Sequence, residues 1–64
     1  MDLEPVVRRI RAEFLEMPGL RLTPAQATRL WGLEPDTCEA VVDVLVRREF
    51  LRRTSGGAIT RAEL

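Results

Sequence analysis

The chain has 64 residues, with ten Arg balanced by ten Asp and Glu, no His and one Cys. A chain of this length forms one domain, 1–64, that buries only about 60% of its unfolded surface, and its apolar fraction of 45% beside 31% charged residues is that of a globular chain rather than a disordered one. Without His, histidine general-base catalysis, histidine metal ligation and histidine pH switching are excluded, and a lone Cys cannot close an internal disulfide.

Met1 leads into a charged amphipathic segment without the basic start and apolar run of a secretory signal. No apolar stretch approaches membrane-spanning length, so the expected location is the cytoplasm, without membrane contact. Leu3, Val6, Val7, Ile10, Phe14 and Met17 recur at helical spacing, with Arg8, Arg9, Arg11, Glu13 and Glu16 around the remaining circumference, which predicts an amphipathic first helix. Asp2 is placed to cap it and Pro18-Gly19 to end it. Glu4 with Arg8 and Arg9 with Glu13 are spaced to pair along its surface.

Leu20-Arg21-Leu22 alternates, which permits a very short strand. Thr23-Pro24-Ala25-Gln26 then combines a threonine cap, proline at the first helical position and glutamine three residues after the cap, the pattern of a capping box. Leu22 and Ala27 sit where a hydrophobic staple would. The second helix is expected to bury Ala27, Leu30 and Trp31, with Trp31 a core residue rather than an exposed anchor, and to stop at Gly32. Glu34-Pro35 starts the third helix, along which Cys38, Val41, Val42, Leu45, Val46 and Glu49 form one stripe, apolar until Glu49. Residues 50–54 and 58–61 read as two strands around the turn Ser55-Gly56-Gly57. The predicted class is α+β, mainly α: three helices, a short strand after the first, and a C-terminal two-stranded hairpin.

This order resembles the winged helix-turn-helix family over nearly the whole chain. The pieces that carry the resemblance are LTPAQATRLWGL as first helix and turn, EPDTCEAVVDVLVRREF as second helix, and LRRTSGGAITR as wing. The resemblance implies double-stranded DNA as partner and transcription regulation as task, with contacts from the second helix of the motif and from the wing.

Charge is uneven along the chain. Residues 1–43 hold five Arg against eight acids, a net −3, and residues 44–64 hold five Arg against two acids, a net +3. A polyanion is therefore drawn to the C-terminal third. The candidate nucleic-acid-binding residues are Arg47, Arg48, Arg52, Arg53 and Arg61, with Thr37 on the third helix. An ordinary solvated hairpin, with these arginines paired to Glu49 and Glu63, is the bland reading of the same residues.

The third helix complicates this picture. On a helical wheel Asp36, Ala40, Asp43 and Arg47 lie opposite the Cys38-Val42-Leu45 stripe, with Val44 at one edge and Glu39 at the other. Carboxylates can accept from cytosine, but three of them beside phosphates act against a contact that rests on charge neutralisation. They equally complement the helix dipole, and Asp43-Arg47 is spaced as a favourable pair. The alternative function is accordingly a protein-interaction module, an adaptor or weak homodimer, using Asp36, Glu39, Ala40, Asp43 and Val44.

No chemistry is expected from these residues. Cys38 lies on the apolar stripe, where a thiol is an inert small hydrophobe. The clustered carboxylates sit on an open helix face that cannot set an acid and a base apart, and Gly56-Gly57 lacks the strand-loop-helix setting of a phosphate loop. The expectation is a non-enzyme with no cofactor, no metal and no small-molecule site.

Overall fold

The structure is a computed structural model that describes residues 2–62. Its order is α1 (Glu4–Glu16), α2 (Pro24–Trp31), α3 (Pro35–Arg47), β1 (Leu51–Arg53) and β2 (Ile59–Arg61), an α+β arrangement that is mainly helical. Among the described residues no helix is long and apolar enough to cross a membrane.

Local chemistry sets most boundaries. The Asp2 carboxylate accepts from the Glu4 N–H at 3.1 Å, so Asp2 satisfies a first-turn donor from one residue before Leu3, the cap position. At α2 both halves of the capping box form: Thr23 Oγ1 accepts from the Gln26 N–H at 3.1 Å and Gln26 Oε1 accepts from the Thr23 N–H at 2.9 Å. Gly32 closes this helix in the left-handed region at φ 66°. Proline occupies the first or second position of all three helices, where its missing N–H costs nothing.

The core gathers one stripe from each helix. Val7, Ile10 and Phe14 of α1 meet Ala27 and Trp31 of α2 and Cys38, Val41, Val42 and Leu45 of α3, and Leu22, Leu51 and Ile59 close the remaining side. Phe14 and Trp31 pack edge to face at 6.1 Å between ring centroids. Trp31 is thus a core residue, as its position predicts. Leu30 is not: it is 55% exposed. An eight-residue helix offers the core one narrow stripe, here Ala27 and Trp31 one turn apart, and Leu30 points well to one side of it. Met17 likewise leaves the predicted stripe, since the helix has ended and its side chain is exposed.

The hairpin pairs Leu51 with Arg61, Arg52 with Thr60 and Arg53 with Ile59. The predicted strand at 20–22 reduces to one antiparallel bridge, in which Leu22 and Ile59 exchange hydrogen bonds of 3.1 and 2.7 Å. That bridge and the bond from Thr60 Oγ1 to the Leu20 carbonyl tie the hairpin to the segment ahead of α2.

Between α3 and β1 the chain reverses at Glu49, whose φ is 62°. The Phe50 N–H returns to the Leu45 carbonyl at 3.0 Å and the Glu49 N–H to Val46 at 3.0 Å, a helix closure that ordinarily uses glycine. An L-residue in this region costs about 1–2 kcal/mol. Glu49→Gly is therefore expected to stabilise the fold by about 0.5–1 kcal/mol after the entropy cost of glycine. Urea unfolding measures this, and a destabilised Glu49→Gly chain contradicts the strain.

Candidate functional site

Strand alternation decides where the hairpin arginines go. Leu51 and Arg53 point to one face of β1, with Arg61 and Ile59 opposite them on β2, while Arg52 and Thr60 share the other face. Leu51 and Ile59 are core residues, so Arg53 and Arg61 lie on the helix side of the sheet and Arg52 faces solvent.

Arg53 ends against α3. Its Nη2 donates to Glu39 Oε1 at 2.8 Å and to Asp43 Oδ1 at 2.9 Å, with its own side chain 31% exposed. The two carboxylates sit four residues apart, so one guanidinium bridges a full turn of helix. Arg48, at the α3 cap, instead donates to Glu4 of α1. Arg61 lies over the Phe50 ring at 4.4 Å from its centroid, and Arg11 of α1 approaches the same ring at 5.0 Å. Arg47 and Arg52 are exposed and make no ion pair among the described residues.

The five arginines of the basic C-terminal third are therefore divided. Two are held by carboxylates, one lies against an aromatic ring on the α1 side, and two project freely. The expected helix-surface pairs are replaced as well. Asp43 takes Arg53 rather than Arg47, Glu4 takes Arg48 rather than Arg8, and Arg9 donates to the Trp31 carbonyl at 3.3 Å rather than to Glu13. Among the described residues Glu49 pairs with no arginine, and Glu63 lies outside the described residues. Arg11 lies on the polar circumference of α1, and nothing in its local sequence marks it out. Only the tertiary approach of α1 to Phe50 reveals its company.

The outer face of α3 carries the exposed Asp36 and Arg47 and the half-buried Ala40 and Asp43, with half-buried Thr37 and Val44 beside them and Glu39 on the hairpin flank. With Arg53 folded over it, this face holds three carboxylates and two guanidinium groups. Its charge is nearly balanced, with small apolar side chains at its centre.

Between the N-terminal ends of α2 and α3 lies an apolar groove of about 270 Å³, lined by Pro24, Ala25, Thr28, Pro35, Cys38 and Glu39. No sequence signal announced it. The Cys38 thiol forms part of its wall and is otherwise buried. Burial raises the pKa of this thiol, the Glu39 carboxylate raises it further, and Arg53 opposes them. Among the described residues no group of three or more Asp, Glu, Cys or His is arranged to hold a metal ion. No protein family, curated protein or solved structure matches this chain, so the site rests on its own geometry.

The Cys38 shift has a sign that can be tested. The folded chain keeps the thiol proton above the pH at which the unfolded chain loses it, so this contribution to stability is complete below the unfolded-chain pKa and declines as pH rises through the alkaline range. Cys38→Ala is expected to remove that alkaline decline in urea unfolding, and a native thiol that reacts with a disulfide probe as fast as in the unfolded chain contradicts the burial.

Proposed function

We propose that this chain is a winged helix-turn-helix module whose task is protein contact through the exposed face of α3, without catalysis. The fold reading is supported by the order of α2, the Gly32 turn and α3, and by a hairpin that lies beside α3 as a wing. The bridge from Leu22 to Ile59 adds the third strand position of such a wing.

The observation that carries the functional reading is Arg53 spanning Glu39 and Asp43. A duplex is gripped by cations that release its counterions, so a guanidinium already facing two carboxylates contributes little unless those carboxylates are left beside phosphate. A protein surface, by contrast, suits a face with both signs of charge around a small apolar centre, because complementary charges fix its register and the centre excludes water. Asp36, Glu39, Asp43, Arg47 and Arg53 supply the charges, Ala40 supplies the centre, and Val44 extends it at one edge. The partner is a protein, another copy of this chain included, with a small apolar projection flanked by charges.

Double-stranded DNA is the second reading, favoured by one observation: Arg47 and Arg52 remain free and exposed among the described residues. Two phosphate contacts give a salt slope of about −1.8 in log K against log salt, where five give about −4.5. Titration of generic duplex at several salt concentrations is expected to yield the shallow slope and weak binding. A slope near −4.5 with tight binding that is lost in Arg52→Glu/Arg53→Glu overturns protein contact as the primary task. Ala40→Arg, which places a long side chain at the middle of the face, is expected to abolish partner retention without lowering the unfolding midpoint.

A further inference from the structure

We propose that a second site, a cleft on the α1 flank, binds the phosphate group of a small phosphorylated molecule. The cleft measures about 340 Å³ and lies where α1, the C-terminal end of α3 and the base of the hairpin meet. Three guanidinium groups from three different elements line it: Arg11 of α1, Arg48 at the α3 cap and Arg61 of β2. In a chain with zero net charge this is a local concentration of cations.

Phe50 holds two of them together. Its ring carries Arg61 at 4.4 Å and Arg11 at 5.0 Å from the centroid, so like charges that would otherwise repel are kept on one aromatic support. Phe50 reaches this place because the chain reverses at Glu49 in the left-handed region, backbone strain of a kind that collects at binding sites. Arg61 Nε is buried and has no hydrogen-bond acceptor among the described residues. A buried guanidinium donor left without an acceptor is costly, and a turn of the Arg61 side chain toward an oxyanion in the cleft satisfies it. Arg48 is exposed and paired to an exposed Glu4, an interaction weak enough to be exchanged for a stronger anion.

The donor set selects phosphate over a carboxylate. Three guanidinium groups offer more N–H donors than two carboxylate oxygens can accept, whereas a phosphate monoester presents three oxygens and up to two negative charges. Leu15 and Leu45 form an apolar wall beside the arginines, which accommodates an organic group and gives the 46% exposed Leu15 a role. The concavity favours a small ligand over a duplex, whose backbone cannot enter a cleft of this size. Glu49 is the one carboxylate on the lining, so its charge opposes the ligand. This site lies off the exposed face of α3, and its fate is independent of the proposed protein contact.

Titration of the isotope-labelled full chain with inorganic phosphate and with glycerol phosphate, at constant ionic strength, tests the site through the arginine Nε–H signals. A saturable shift is expected for Arg61, with Arg11 and Arg48 following and Arg52 nearly still. Arg11→Gln, which removes an exposed side chain and leaves the core intact, is expected to weaken binding about tenfold, and Glu49→Gln to strengthen it. Tighter binding of the ester identifies an organic phosphate as the ligand, and equal binding identifies the free ion. Shifts that do not saturate, shifts spread equally over Arg52 and the cleft arginines, or unchanged binding in Arg11→Gln overturn the proposal.

Discussion

The surface chemistry of this chain depends on one ionic bridge, Arg53 of β1 held between Glu39 and Asp43 of α3. The bridge does not hold the fold together. Partly exposed ion pairs contribute about 0.2–1 kcal/mol each, while burying Leu51 and Ile59 contributes about 1.5–3 kcal/mol for each side chain. Those two apolar residues seat the hairpin, and strand alternation then brings Arg53 to the same side as Leu51. Once there, the guanidinium meets two carboxylates that face outward because the opposite stripe of α3 is core. Packing fixes the geometry, and the geometry settles the charge of the face.

The same logic separates two clusters that look continuous in the sequence. Arg47, Arg48, Arg52, Arg53 and Arg61 fall within one short segment, yet they project to three different sides of a very small domain. A helix turns 100° per residue and a strand 180°, so neighbouring arginines at the helix-strand junction cannot share a face. Arg61 instead shares the ring of Phe50 with Arg11, which is distant in sequence, and Arg48 lines the same cleft. One flank of the domain thereby gathers three guanidinium groups beside Glu4 and Glu49, while the outer face of α3 sets two guanidinium groups among three carboxylates.

What could be read from the sequence was local. The capping box at Thr23 and Gln26, the left-handed closure at Gly32 and the stripe from Cys38 to Leu45 depend on residues within one or two turns of one another. The three helices and the hairpin followed from these signals and from the change of period at Phe50. Leu30 was misplaced because hydrophobicity alone does not say how wide a stripe an eight-residue helix can bury. The ion pairs were harder still. Local spacing offered Asp43 to Arg47 and Glu4 to Arg8, but partners from other elements captured both carboxylates, which only the packing of α1 and β1 against α3 could reveal. The positive φ of Glu49 left no mark in the sequence, since the usual glycine is absent there.

A double-mutant cycle between Arg53 and Asp43, using Arg53→Gln, Asp43→Asn and the double variant in urea unfolding, tests the central bridge most directly. A coupling of about 0.5–1 kcal/mol that shrinks as salt is added is the predicted result. Zero coupling at low salt, both here and in the matching cycle with Glu39→Gln, contradicts the account, because it leaves the Arg53 guanidinium in solvent and free to meet a phosphate.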